Sequence, residues 1–301
     1  MKRGMGDNAG FALILTLIIT ALLVALVVEM AHQVYVDVSL SRSFRDGQQA
    51  AILAESGVEG GKFILANASQ NKTLFQTILV NGFKQENEIG SLAIFLKDES
   101  GKLNINDIVN EDGTENLINM KSVQTLGTLC NIPKEDWYTV AYWINNKYEK
   151  NIGSAAMAYF RSKGYNSRNN KLETVKELTL IHKDFKPEIV SKLEPFFTVV
   201  SNRGSKMTNQ ININSAPPEV LASLDIKSDV VTRIIANRPY EGSGELLERV
   251  PEMKTISPTQ SSRISYTSRF YEVTAVATVK DTTKTIKTVL DAGSPKTWIE
   301  Y

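Results

Sequence analysis

Three places in the chain hold groups that could do chemistry. The stretch NINDIVNEDG, residues 104–113, offers Asn104, Asn106, Asp107, Asn110, Glu111 and Asp112 as hard oxygen donors, the kind calcium prefers. Their spacing is not that of an EF-hand loop, and a solvated turn after a strand uses the same residue types. Asp107 and Asp112 are the candidate ligands. Asp136, the pair Glu111 and Asp112, and His182 near Asp184 could each act in acid–base work. Each is also accounted for by a helix start or a solvated loop, and no nucleophile, base and orienting group assemble around any of them. GxSxG, P-loop and HExxH patterns are absent, so an enzyme is not expected. The third place is a peptide bond. In NAG/FALILTL, cleavage between Gly10 and Phe11 would leave Phe11 at the head of a long apolar helix.

The elements that position these groups begin with that helix. Phe11 to Val28 are eighteen residues without a charge or a proline, a helix of about 27 Å and close to the thickness of a bilayer core. Lys2 and Arg3 precede it, so the positive-inside rule keeps the N-terminus in the cytoplasm and sends the rest outward. A secretory signal peptide has a similar start, but Glu29 stands where its cleavage site needs a small residue. A plain uncut anchor is the other alternative. The chain has 301 residues and a net charge of +1, so no global field draws it to nucleic acid or acidic lipid. The single cysteine, Cys130, excludes an internal disulfide, and His32 and His182 belong to no Cys/His cluster of zinc spacing.

Helical character continues to about Leu65, and Ala50, Ala54, Gly57 and Gly61 share one face of small side chains suited to lying against a sheet. Leu92, Ile94 and Leu96 alternate with Ala93, Phe95 and Lys97, and the turn Glu99–Lys102 leads to Leu103 and Ile105, a β-hairpin pattern. Near the C-terminus, Tyr271, Val273, Ala275, Ala277 and Val279 form one strand face. After a turn at Lys280–Thr282, Ile286, Thr288 and Leu290 alternate again. Strands therefore bracket a mostly helical middle, which predicts an α+β domain with a helical domain inserted between its strands.

The middle carries an internal duplication. LNIN at Leu103–Asn106 is matched by ININ at Ile211–Asn214. LGTLCNIPKEDWYTVAYWIN resembles LASLDIKSDVVTRIIAN, with one extra residue in the first copy. Each then reaches an acidic-apolar helix start, LETVKELTLI from Leu172 and GSGELLERV from Gly242. The unit looks like a helix-hairpin-helix written twice. DNA-binding versions place glycines in the turn so that bare N–H groups approach a phosphate. Here the turns are Asn131-Ile132-Pro133 and Asp225-Ile226-Lys227. Proline removes one N–H and Asp225 brings a negative charge. Lys227, Arg233 and Arg238 could meet phosphate without the glycine cradle, yet a solvated helix face explains them equally well. A packing module for other proteins is the better reading, with no nucleic acid; a membrane-anchored DNA-binding protein is the weaker alternative.

A short basic leader, Gly10, then Phe11 opening an apolar helix is the type IV prepilin pattern. With AESGVEGG, the bracketing strands, ININSAPPEVL and ELLERVP, the chain resembles the minor pseudopilin K family of type II secretion systems over nearly its full length. The resemblance implies a pilin-like α+β fold: a long N-terminal helix on an antiparallel sheet, with a large inserted all-α domain of two helix-hairpin-helix or SAM-like repeats. It divides the chain into a leader (1–10), a transmembrane helix (11–30), a first pilin-like part (31–106), the insert (107–266) and C-terminal strands (267–301). It implies cleavage between Gly10 and Phe11 by a prepilin peptidase, methylation of the new Phe11 amine, and residence in the inner membrane with the main domain in the periplasm. Most pilins carry glutamate at the fifth mature position; here it is Leu15. A buried carboxylate needs a cationic partner, so leucine there marks a subunit with none above it, at the fibre tip. The implied partners are the minor pseudopilins I and J, with secreted substrates or the outer-membrane secretin beyond the tip. No cofactor is required. Relatives are associated with calcium in the helical domain, without a residue-by-residue match here. The minor pilin of a type IV pilus shares the leader and fold and is the first alternative.

Overall fold

The computed structural model describes residues 6–148, 153–200, 210–291 and 293–301; Lys2 and Arg3, on which the orientation rests, lie outside them. Helix α1 (Gly6–Ala66) is unbroken, as the absence of proline before Pro133 allows. Its two halves live in different surroundings. Every side chain from Gly10 to Arg45 is exposed, whereas Asp46, Ala50, Ala54, Gly57, Val58 and Gly61 are buried.

Helix α2 (Lys72–Asn81) follows, its first turn capped by Asn71, whose side chain accepts from the Leu74 N–H at 3.0 Å. The sheet is then entered by β1 (Phe83–Glu86) and β2 (Ser91–Asp98). The insert runs through β3 (Leu103–Asn104), α3 (Leu117–Thr128), α4 (Lys134–Ile144), α5 (Gly153–Ser162), α6 (Leu178–Ile181), α7 (Pro187–Leu193), β4 (Phe197–Thr198), β5 (Ile211–Asn212), α8 (Pro218–Ala222), α9 (Ser228–Ala236), α10 (Ser243–Arg249), α11 (Pro258–Ser261) and β6 (Ile264–Ser265). The chain returns to the sheet as β7 (Phe270–Val279), β8 (Thr282–Asp291), β9 (Ser294–Pro295) and β10 (Ile299–Glu300). The main sheet has the order β1-β2-β7-β8-β10, with β9 on β8, and every pairing is antiparallel.

The small-residue face of α1 does what its spacing predicts. A Cβ on Gly57 would stand 2.8 Å from both Ala275 Cβ and Leu92 Cδ1, and one on Gly61 would stand 2.7 Å from Val273 Cγ1. Only glycine lets the helix axis come this close to the sheet. Ala54 and Val58 pack against Ala275, Ala277 and Ile286. Lower on the helix, Asp46 receives Lys280 Nζ at 3.1 Å. Hydrogen bonding from Arg45 and then from Lys280 holds the Asp46 carboxyl below the usual carboxylate range.

This register fixes the direction of the molecule. Going up α1 from Asp46 to Gly61, the contacts move down β7 from Lys280 to Val273. The insert is joined after Asp98 of β2 and before Phe270 of β7, so it crowns the end of the sheet farthest from the exposed apolar half of α1.

Two expectations need correction. The hairpin expected from Leu92 to Ile105 does not form: β2 pairs with β1 on one side and over eight residues with β7 on the other. Both edges of β2 are thus taken. Leu103 and Asn104 instead pair in parallel with Phe197 and Thr198. The turn between β7 and β8 is Lys280–Asp281, because Thr282 already pairs with Val279. In addition, Leu103 and Ile105 belong to the core of the helical insert, whose packing therefore begins before residue 107.

Candidate functional site

The Gly10–Phe11 bond lies inside α1, with helix continuing back to Gly6. It is accessible: Phe11 is 68% exposed, and a Cβ placed on Gly10 would meet nothing within 4 Å. Cleavage at this bond would require the helix to open locally, and glycine would lower that barrier because it destabilises helix by about 1 kcal/mol relative to alanine. Leu15, 46% exposed, sits on the same unpartnered segment. The segment of α1 from Gly10 is the one described helix long and apolar enough to cross a membrane.

The insert is built from two units with the same hydrogen-bond plan. In the first, Asn106 donates from Nδ2 to the carbonyls of Leu172 (3.0 Å) and Val199 (2.9 Å), and its Oδ1 accepts from the Leu172 N–H at 2.7 Å. In the second, Asn214 donates to the carbonyls of Tyr240 (2.8 Å) and Tyr266 (3.0 Å), and its Oδ1 accepts from the Tyr240 N–H at 2.8 Å. Two residues earlier, Asn104 accepts from the Asn106 N–H and Asn212 from the Asn214 N–H. Each clasp closes a unit by tying its first short strand to a distant loop and to the end of its last strand. The matched LNIN and ININ carry this signal in the sequence, and it is the amide side chain, with donor and acceptor on one head, that the clasp requires.

The hairpin turns lack glycine and nonetheless adopt the left-handed conformation, at Asn131 (φ +57°) and Asp225 (φ +62°), two residue types that tolerate it. Asp225 is engaged by Lys121 Nζ at 2.6 Å, and Gln260 donates to the Leu224 carbonyl at 3.0 Å. Of the cations that could meet phosphate, Arg233 is paired with Asp229 and Glu252. Arg238 donates to the Ala216 carbonyl at 2.6 Å, and burial lowers its pKa. Lys227 is the N-cap of α9 and is exposed. The units are also tied to each other: buried Arg263 donates to Ser122 Oγ and Asn119 Oδ1, both at 3.0 Å.

Of the oxygen donors of residues 104–112, several are already engaged within the chain. Asn104 and Asn106 spend their side-chain oxygens on backbone N–H groups. Asp112 Oδ1 accepts from the N–H and hydroxyl of Thr114 in an exposed turn, and these bonds lower its pKa. Asp107 is largely buried, with Oδ2 unpartnered, and desolvation raises its pKa to about 6. The acid–base candidates fare differently. Asp136, His182 and Asp184, which sequence offers separately, converge: their ligand atoms all lie within 4.8 Å of one another. Burial, reinforced by Asp184 and opposed by His182, raises the Asp136 pKa to about 6. Glu111 is exposed beside Asp112 and belongs to no such group.

Residues 101–202, the first unit with its approach from the sheet, match the family model described as type II secretion system (T2SS), protein K. Over this stretch, about a third of the chain, the sequence is similar to protein K of type II secretion systems. A chain in the crystal structure of the GspK–GspI–GspJ complex from the enterotoxigenic Escherichia coli type 2 secretion system superimposes with a TM-score of 0.72 at 15% identity. That match covers 87% of this chain and 99% of the other. At this identity the likeness is one of fold. No curated protein matches the chain.

Proposed function

We propose that this chain is a minor pseudopilin of the protein K type, non-enzymatic and placed at the tip of a type II secretion pseudopilus, where it helps start fibre assembly and export of folded proteins across the outer membrane. On this reading a prepilin peptidase cleaves between Gly10 and Phe11 and methylates Phe11. The apolar segment of α1 crosses the inner membrane with its N-terminus cytoplasmic and the main domain periplasmic. The same exposed segment then packs among other subunits once extracted into the fibre.

The observation that carries the tip assignment is the placement of the insert. It caps the membrane-distal end of the sheet, beyond Asp98 and Phe270. A subunit stacked above would collide with it, whereas subunits below and beside meet only α1 and the sheet. Leu15 supports the same reading, since a carboxylate there would need a neighbour's amine. The two asparagine-clasped units act as helix-hairpin-helix or SAM-like packing modules facing substrate or secretin, and no cofactor is required. The partners are the minor pseudopilins I and J, as in the related GspK–GspI–GspJ complex. Co-expression with I and J of the same system tests this: a complex of the three should purify at equimolar ratio. Recovery of this chain alone from cells making all three overturns the proposal.

A further inference from the structure

Asp136, His182 and Asp184 come from two separate pieces of the first unit. Asp136 is in the first turn of α4 behind the N-cap Pro133. His182 ends α6, and Asp184 lies in the turn closed by the Phe185 N–H on the His182 carbonyl. His182 Nδ1 is 3.1 Å from Asp136 Oδ2 and 3.4 Å from Asp184 Oδ2. Asp136 is only 6% exposed, yet its Oδ2 and the His182 Nδ1 both lack a hydrogen-bond partner. The short separations are therefore not aligned donor-to-acceptor, and the ligand atoms of all three side chains lie within 4.8 Å of one another. We propose that these three side chains form a binding site for a divalent transition cation, zinc above all.

Size and chemistry agree. An ion bound tetrahedrally at about 2.0–2.1 Å to nitrogen and oxygen holds its ligands about 3.3 Å apart, the spacing of the two His182 contacts. Calcium takes oxygens at longer range and has no use for imidazole, whereas one histidine with two carboxylates is an ordinary zinc set. Binding through Nδ1 places the imidazole proton on Nε2.

The second unit indicates that the fold does not need this cluster. Its α9 starts from the N-cap Lys227, so Val230 takes the place of Asp136. Its α10 ends at Val250, whose carbonyl accepts from the Met253 N–H, so Val250 takes the place of His182. Both valines are buried. Glu252, in the place of Asp184, is neutralised by Arg233. Among the described residues, no lysine or arginine pairs with Asp136 or Asp184. A cation would supply that missing charge and would clamp α4 to the α6–α7 turn.

The test uses the untagged full-length chain in detergent, stripped with a chelator and titrated with zinc chloride by calorimetry, with thermal unfolding in parallel. One zinc should bind per chain, the melting temperature should rise by several degrees, and calcium at the same concentration should not displace the zinc. Affinity should fall at least tenfold in His182→Gln and in Asp184→Asn, variants whose folding is checked by circular dichroism. Asp184 is partly exposed, so its variant remains informative should His182→Gln unfold. Absence of stoichiometric zinc binding, undiminished binding by a folded variant, or displacement by calcium overturns the proposal.

Discussion

The two units of the insert solve the same folding problem with different side chains. Both tie a two-residue strand to a later loop through one asparagine, and both turn their hairpin on a left-handed residue without glycine. Their cores differ. In the first unit Gly127 leaves room for Trp137: a Cβ there would lie 2.5 Å from the indole Nε1. At the aligned positions the second unit has Ala222, which is exposed, and Val231, which is buried. The first unit also has α5, the half-buried Asp107 and the Asp136–His182–Asp184 cluster, while the second has Ser215, Val230 and Val250 at the places of the three residues Asp107, Asp136 and His182. What is written twice is the scaffold. What is written once is where this chain can be specific, and the once-written features fall in the stretch that matches the protein K family.

The strongest way to break this comparison is to remove a clasp. Asn106→Ala deletes three hydrogen bonds at a residue 2% exposed and leaves the Leu172 amide buried without a partner, a loss of about 3 kcal/mol. Asn214→Ala should lose somewhat less, about 2 kcal/mol, because its site is half-buried. Hydrogen exchange reads each clasp directly: Leu172 should lose protection in the first variant and Tyr240 in the second. Loss at both amides in either variant would mean that the units do not close independently.

Next in size is the exchange of core solutions. Gly127→Ala should destabilise by about 2 kcal/mol through overpacking against Trp137. The same substitution in a Trp137→Val background, the combination used by the second unit, should cost nothing further. Chemical unfolding followed by tryptophan fluorescence checks this in Gly127→Ala, since Trp143 also lies in the first unit. Circular dichroism serves the double variant. An undiminished penalty in the Trp137→Val background would show that the two units are not packed in equivalent ways.

The smallest effect is electrostatic. The folded-state pKa of Asp107 is about 6, above the ordinary carboxylate value, so the folded protein holds the proton longer than the unfolded one. Stability therefore falls as pH rises from about 4 to about 6 and stays lower above that window. Asp107→Asn should remove this part of the slope and leave the chain more stable at pH 7 by on the order of 1 kcal/mol. Asp136, raised in the same direction, retains the remainder. Melting temperatures across that pH range measure it, and an unchanged slope in the variant would assign the whole effect elsewhere.

Sequence carried the parts of the fold set by local periodicity. The apolar start of α1, its small-residue face and the alternation of β7 and β8 have their signal in contiguous residues, and the duplication shows as direct similarity between two stretches of the chain. Strand β1, Phe83–Glu86, is exposed at every position and has no alternation to read. The false hairpin after β2 arose because Leu103 and Ile105 look like a strand locally, while their partners lie almost a hundred residues away. The site residues divide the same way. Gly10 and Phe11 belong to a contiguous pattern. Asp136 meets His182 only through the packing of α4 on α6, a contact no local window contains, and the asparagines of LNIN and ININ were visible as a repeat before their clasping role could be.

The central claim, that this chain matures as a pseudopilin, is tested most directly at its N-terminus. Mass spectrometry of the N-terminal peptide from protein isolated from its native membrane should find a chain beginning at N-methylated Phe11. An intact N-terminus that still includes Lys2 would contradict the account.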